Sequence, residues 1–280
     1  MKQRLITSAI IVMIFLPLLI FSGYIIYPIA LSLLAFIAVY EILKAIGVEK
    51  NAWIAVPSYV LGATLPFSSY FASENPTVYL LTLAALHFTY LIYLMGVGVF
   101  SKGKLPFNVI SEVFAMITYV VVSFSSMCLI RYIDEKPGAY LVYMIFIAAW
   151  VTDSCAYLTG TFFGKHKLIP EVSPKKTVEG AIGGITCAII AYVLYGFVVS
   201  LIEPTVTVNY IALGVFGLLL SVVSQLGDLV ASLLKREHGI KDYGIIFPGH
   251  GGVMDRFDSI LAISTILLIL CLVLPPFTFA

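Results

Sequence analysis

"PGHGGVMDRFDSILAISTILLILCLVL", residues 248–274, sets a dense polar cluster directly against an apolar run. The first eleven residues hold a His, three Gly, two Asp and an Arg, while Ser259 to Leu274 carry no charge. A run of that kind is close to the length a helix needs to cross a hydrocarbon core of about 30 Å at about 1.5 Å per residue. The stretch therefore reads as a membrane span with ionisable chemistry on its rim. The rest of the chain agrees: 61% of the 280 residues are hydrophobic, 11% are charged and the mean hydropathy is +1.05. Soluble domains carry about 25% charged residues, so water-soluble folds are excluded.

Outward from this stretch, apolar segments fall at about 5–22, 24–43, 52–71, 78–98, 106–130, 138–159, 178–201, 208–233 and 257–275, divided by short polar or Gly/Pro punctuation. The expectation is an all-α, polytopic integral membrane bundle of about nine helices. It forms one domain over 1–280, with N-terminal spans over about 1–137 and the spans and loops that carry chemistry over about 138–280. Only Ser22 and Gly23 separate the first two spans. Met1 to Arg4 and the run behind them lack a small-x-small cleavage site and read as a retained first span.

With the N-terminus in the cytoplasm, 14 of the 16 Lys and Arg residues fall on inside loops and only Arg131 and Lys136 outside. That asymmetry is the positive-inside pattern. The longest non-apolar segments, about 160–177 and 234–256, then lie on the cytoplasmic side, where soluble nucleotides are available. A net charge of +1 says little about partners, because in a membrane protein the placement of the charges informs more than their sum, and no nucleic-acid partner is expected. The cysteines have no CxxC spacing and read as apolar filler.

Four constellations carry chemistry. In "SVVSQLGDLVASLLKR", residues 221–236, Ser221, Gln225, Asp228, Ser232 and Lys235 fall within about 80° of one another on a helix. A carboxylate at the centre of a span costs about 2.5–3.5 kcal/mol on insertion scales, so Asp228 is expected to be paired or functional; its neutral companions serve equally well as interhelical glue. In "AWVTDSCAYLTGTFFGKHK", Asp153 is a second intramembrane acid, for which Lys165 or Lys167 is a ready partner. In "SPKKTVEGAIGG", Ser173 or Thr177 is placed to cap a helix, Pro174 to open its first turn, and Lys175 and Lys176 to meet phosphate. Glu179 reads as a first-turn acid, and Gly180 with Gly184 as a packing seam. In the last loop, Asp255 and Asp258 share a face if a helix starts near Met254, and Gly249, Gly251 and Gly252 let backbone N–H groups approach an anion. His87 and Glu112 are isolated in their spans and read as hydrogen-bonded packing residues.

This inventory holds acids, cations and a glycine loop but no Ser-His-Asp order or outstanding Cys nucleophile. Phosphoryl or nucleotidyl transfer, which needs positioning and charge neutralisation, suits it better than acyl transfer. Hard cations such as Mg²⁺ take carboxylate oxygens while keeping waters and substrate phosphates, which Asp228 and Asp255 can serve.

The run Ser232, Lys235, Arg236, Lys241, Asp242, Gly244, Phe247, Pro248, His250, Gly251, Gly252, Asp255, Arg256 and Asp258 resembles the signature of the CDP-diacylglycerol synthases, or phosphatidate cytidylyltransferases. "QLGDL", "SPKKTVEG" and "TDSCAYLTG" resemble further family segments. The resemblance implies that CTP and phosphatidate give CDP-diacylglycerol and pyrophosphate, with one or two Mg²⁺ ions and Mn²⁺ as an alternative ion. By the same resemblance, Asp228 and Asp255 are the metal-binding acids. Lys175, Lys176, Lys235, Arg236, Lys241 and Arg256 are candidates for the triphosphate and the lipid headgroup. Ser173, Gly251 and Gly252 join the substrate-binding set, with Asp153, Asp258 and His250 in support. Both substrates fit a multi-pass cell-membrane protein with a cytoplasmic site, and the oligomeric state stays open, a homodimer included. Two rivals remain: a CTP-dependent polyprenol kinase, which moves the γ-phosphate, and an ion-coupled secondary transporter, against which the polar residues gather at one membrane face.

Overall fold

The computed structural model describes residues 13, 15–72, 75–132, 135–247 and 249–279. It is a helical protein whose main elements are α1 (Ile26–Ile46), α2 (Ala52–Ser68), α3 (Pro76–Phe100), α4 (Phe107–Tyr132), α5 (Glu135–Phe163), α6 (Val178–Ile202), α7 (Tyr210–Glu237) and α8 (Met254–Val273). β1 (Lys167–Ile169) and β2 (Ser173–Thr177) form a small antiparallel hairpin, and β3 (Val206–Val208) pairs antiparallel with the distant β4 (Phe277–Phe279). Among the described residues, seven helices, all but α2, are long and apolar enough to cross a membrane. The expected third span, α2, has 17 residues, with Pro57 and Pro66 inside it. Half of the expected first span, residues 5–12 and 14, lies outside the described residues; of its described half, 13 and 15–20 are helical.

Local sequence sets most of the helix ends. Asn51 and Asn75 accept N–H groups of Trp53 and Val78 at the starts of α2 and α3, and Pro76 occupies the first turn of α3. Gly47, at φ 84°, closes α1 in the left-handed conformation that other residues resist. The break expected at Ser22 and Gly23 is real: residues 21–23 form a turn, Arg131 donates from Nε to Ser22 Oγ at 3.1 Å, and the Tyr132 hydroxyl donates to the Ser22 carbonyl at 2.7 Å.

The chain divides into two units. The first takes Met1–Ile133 and His238–Arg256; the second takes Asp134–Glu237 and Phe257–Ala280. In the first, Leu31, Ala35, Ala38, Val39, Ile42 and Leu43 of α1 are fully buried at helical spacing. A Cβ at Gly62 of α2 would meet the Ala35 carbonyl and the Val39 side chain, so these helices pack backbone to backbone. His87 and Glu112 both belong to this unit. His87 bonds the Leu83 carbonyl of its own helix at 2.8 Å, in keeping with a packing role. Glu112 is not isolated as its span suggested: its Oε1 lies 2.5 Å from Nε2 of His238, a residue 126 positions away.

In the second unit, α5, α6 and α7 meet along glycines. Cβ atoms at Gly180 and Gly184 of α6 would lie 2.7 and 2.9 Å from the Ala156 and Thr152 carbonyls of α5, which bears out the small-residue seam. Thr152 Oγ1 donates to Ser221 Oγ at 3.0 Å and Tyr192 donates to the Met144 carbonyl at 2.7 Å. Ser221 is thus interhelical glue. Gly180→Ala is expected to destabilise the protein by about 1–3 kcal/mol, because the obstructing atoms are backbone and a cap residue rather than a flexible side-chain tip. Gly214→Ala on α7, where a Cβ meets nothing within 4 Å, should be neutral or stabilising. Thermal aggregation midpoints of the two variants in detergent check this; equal midpoints would remove the seam.

Large apolar side chains such as Phe100 (85% exposed) and Ile211 (81%) cover the helix exteriors. Contiguous exposure of this extent is costly in water and ordinary against lipid tails.

Candidate active site

A cavity of about 650 Å³ opens in the second unit, lined among others by Asp153, Gly160, Lys167, Lys175, Lys176 and Asp228. Its back wall exists because the α5–α6 seam brings the backbones together at Gly160 and Gly180. Its rim is the β1–β2 hairpin, where the structure departs from expectation: Ser173, Pro174, Lys175 and Lys176 lie in β2 rather than in a first helical turn. Of the two proposed caps it is Thr177 that serves, accepting the Gly180 N–H at 3.1 Å. Ser173 is half-buried on the hairpin. Extended backbone turns successive side chains to opposite faces, which separates the two lysines. Lys175 stays exposed, whereas half-buried Lys176 places Nζ 2.7 Å from Asp228 Oδ2 and 3.4 Å from the Gln225 carbonyl.

Asp228 projects from α7 and receives the Ser232 hydroxyl at 3.4 Å, while Gln225, one turn earlier, donates to the Ala181 carbonyl at 3.3 Å. The polar stripe read from the sequence is therefore divided between packing at Ser221 and Gln225 and a charged pair at Asp228. Asp153 is in electrostatic reach of Asp228 and of Lys176, a cation other than the expected Lys165 or Lys167. Asp258 interacts in turn with Asp228, Asp153 and Lys235. A Cβ at Gly227 would meet the Asp258 carbonyl at 2.8 Å and Ala262 at 2.6 Å, the close approach that brings this part of α8 to α7. Arg236 follows Lys235 in the last turn of α7 and is exposed.

Three carboxylates facing two ammonium groups leave a surplus of hard oxygen donors, which suits a divalent cation of the Mg²⁺ type. Among the described residues, no three His, Cys, Asp or Glu side chains stand together as a complete protein ligand set.

Glu179 does more than sit in a helix's first turn. It accepts the N–H groups of Lys165 and His166 at 3.1 and 3.2 Å and lies 2.6 Å from His166 Nδ1, which ties the end of α5 to the start of α6. Lys167 and Tyr157, which no sequence motif singled out for substrate, line the cavity as well.

The polar loop belongs to the first unit. The His250 N–H donates to the Phe247 carbonyl at 2.8 Å, and the Phe247 N–H returns to the Gly251 carbonyl at 2.9 Å. Gly249 and Gly251 have φ of 75° and 82°. Arg256 Nε donates to the His250 carbonyl at 2.9 Å, which ties the guanidinium to the loop. Lys241 is exposed and Tyr243 buried. The helix starts at Met254 as expected, with Asp255 in its first turn. Asp255, only 8% exposed, accepts the Tyr243 and Gly252 N–H groups on Oδ2 at 2.8 and 2.9 Å. The expectation that Gly251 and Gly252 offer backbone N–H groups to a substrate meets a different geometry: the anion that the Gly252 N–H meets is the protein's own Asp255. A further acid, Glu41 of α1, accepts the next two N–H groups, from Val253 and Met254. Sequence reasoning missed Glu41, whose only signal was a lone acid among apolar residues.

The Cytidylyltransferase family model matches residues 2–274. Curated relatives named phosphatidate cytidylyltransferase include one from Staphylococcus haemolyticus, 36% identical over 275 residues, covering 96% of this chain and 98% of its own. Those from Staphylococcus aureus and Bacillus subtilis are each 35% identical, over 273 and 274 residues, covering 96% and 95% of this chain and 98% and 96% of their own. A family match over residues 2–274, with relatives about 35% identical over nearly the whole chain, places this chain in the cytidylyltransferase family.

Proposed function

We propose that this protein is a phosphatidate cytidylyltransferase: it transfers CMP from CTP to phosphatidate, forming CDP-diacylglycerol and releasing pyrophosphate. The observation that carries the reading is the Lys176–Asp228 pair, held in a cavity that also collects Asp153, Lys167 and Lys175 on a chain of apolar spans. A site that joins phosphate-binding cations to hard oxygen donors at a membrane suits a reaction between a nucleotide and a lipid phosphate.

A phosphatidate oxygen attacks the α-phosphorus of CTP and pyrophosphate leaves. A phosphate monoester has a second pKa of about 6 and is largely ionised at pH 7, so no strong general base is needed, and none stands out. Asp228 and Asp255 are the carboxylates that would hold Mg²⁺, which when bound would supply charge neutralisation for the phosphate oxygens. Lys176 exchanges Asp228 for a phosphate oxygen as substrate arrives. Lys175, Lys235, Arg236, Lys241 and Arg256 hold the triphosphate and the lipid headgroup, with Ser173, Gly251 and Gly252 nearby in the sequence motifs. Asp153, Asp258 and His250 support them. Nine spans with the N-terminus inside would turn this chemistry to the cytoplasm, a sidedness that the 14-to-2 distribution of Lys and Arg supports.

Purified protein supplied with phosphatidate, Mg²⁺ and CTP labelled in the cytosine should move label into the lipid phase, with one pyrophosphate released per lipid labelled. Lipid labelled only from the γ-phosphate of CTP would identify a lipid kinase instead, and no transfer from either position would overturn the assignment.

A further inference from the structure

Glu41 belongs to no motif in this sequence, yet it is 1% exposed on the apolar helix α1. An acid buried within a span is expensive and persists where its oxygens are satisfied. Here Oε1 accepts the Val253 N–H at 3.0 Å and Oε2 accepts the Met254 N–H at 2.8 Å, across 212 residues of chain. These are N–H groups at the start of α8, which a helix leaves without partners of its own and which favour a negative charge. Glu41 thus does from a distance what a neighbouring Ser or Asp does at an ordinary helix cap.

Two glycines carry the imprint of this contact. A Cβ at Gly244 or at Gly252 would run into the Glu41 carboxylate, so a side chain at either position would have to displace an acid on another helix. The adjoining N–H, that of Gly252, goes to Asp255 Oδ2. Three consecutive backbone donors, 252 to 254, therefore end on two carboxylates, and a shift of either acid moves the other.

We propose that Glu41 is a positioning residue of the transferase: its buried carboxylate fixes the backbone from Gly252 to Met254 and, through it, the orientation of Asp255. The proposal rests on the cytidylyl-transfer reading for its kinetic consequence but not for its structural one.

The test uses full-length protein in lipid nanodiscs, with turnover and amide hydrogen exchange measured on the same preparations. Glu41→Ala should lower kcat about 100-fold while changing the KM for CTP less than about threefold, and should speed exchange selectively in the peptide containing Val253 and Met254. Glu41→Gln keeps the volume but offers one accepting oxygen, so it should fall between the two in both measurements and carries the test if the alanine variant does not accumulate. Gly252→Ala drives a methyl into the same carboxylate and should be damaging alone; combined with Glu41→Ala, which vacates that space, it should cost no more than Glu41→Ala by itself. Unchanged kcat and exchange in Glu41→Ala, uniform loosening of the whole protein, or additive losses in the double variant would each overturn the proposal. If the wild type failed to transfer CMP, the functional reading would fall, while the exchange data would still decide whether Glu41 holds the loop.

Discussion

Asp228→Asn is expected to reduce CDP-diacylglycerol formation at least a thousandfold in kcat, about 4 kcal/mol of transition-state stabilisation, while the protein still inserts and folds. The asymmetry follows from the surroundings of the residue. Its ion pair with Lys176 is partly exposed, with the two side chains about a quarter and a third open to solvent. Such a pair contributes no more than about 1 kcal/mol to stability, so losing it leaves the fold intact. The Ser232 hydroxyl, at 3.4 Å, can still find an amide oxygen. What asparagine lacks is the full negative charge that the proposed Mg²⁺ site would use. Turnover at saturating CTP and phosphatidate, over a range of Mg²⁺ concentrations, checks this. Activity restored by high Mg²⁺ would mean that Asp228 tunes metal affinity alone, and activity unchanged at all concentrations would remove it from the metal.

Lys176→Met should lower kcat/KM for CTP about 100-fold, or about 2.7 kcal/mol, with much of the loss in KM. Methionine keeps the length and apolar stem of lysine but removes the donor, so the cavity wall is preserved while a charge-assisted contact to phosphate is lost. The same change leaves Asp228 without its cation beside two other acids, Asp153 and Asp258. The residues are therefore coupled, and the double variant Asp228→Asn with Lys176→Met should be less damaging than the product of the two single losses. Lys175→Met, on the other face of the strand, should cost about tenfold or less. Initial rates at varied CTP for the four proteins settle it: equal effects at 175 and 176 would mean that the hairpin acts as a diffuse positive surface rather than through one placed ammonium group.

Much of this protein is legible in one dimension. Membrane class and most helix positions follow from runs of apolar residues, because a span reports its solvent through its own side chains and its own length. Helix ends at Gly47, Asn51, Asn75 and Thr177 are legible for the same reason, since a cap satisfies donors or acceptors within a few residues of itself. "SPKKT" misleads at that level. Its Ser-Pro opening suits a helix start, but pairing of Lys167 with Thr177 and of Ile169 with Ser173 draws the stretch into a strand. Hairpin pairing is a tertiary contact that overrides a local preference.

By itself the sequence determined that this is a polytopic helical membrane protein, that its Lys and Arg gather in alternate stretches between apolar runs, and that its glycine- and aspartate-rich segments resemble the family's signature. Each of those properties is local or periodic. Only the tertiary structure decided which ionisable groups meet: Lys176 with Asp228, His238 with Glu112, and Glu41 with the N–H groups of Val253 and Met254. Those partners lie from about 50 to over 200 residues apart, and no helical period relates them. Helix packing brings them together, and burial then requires that each polar group be satisfied by whatever that packing presents.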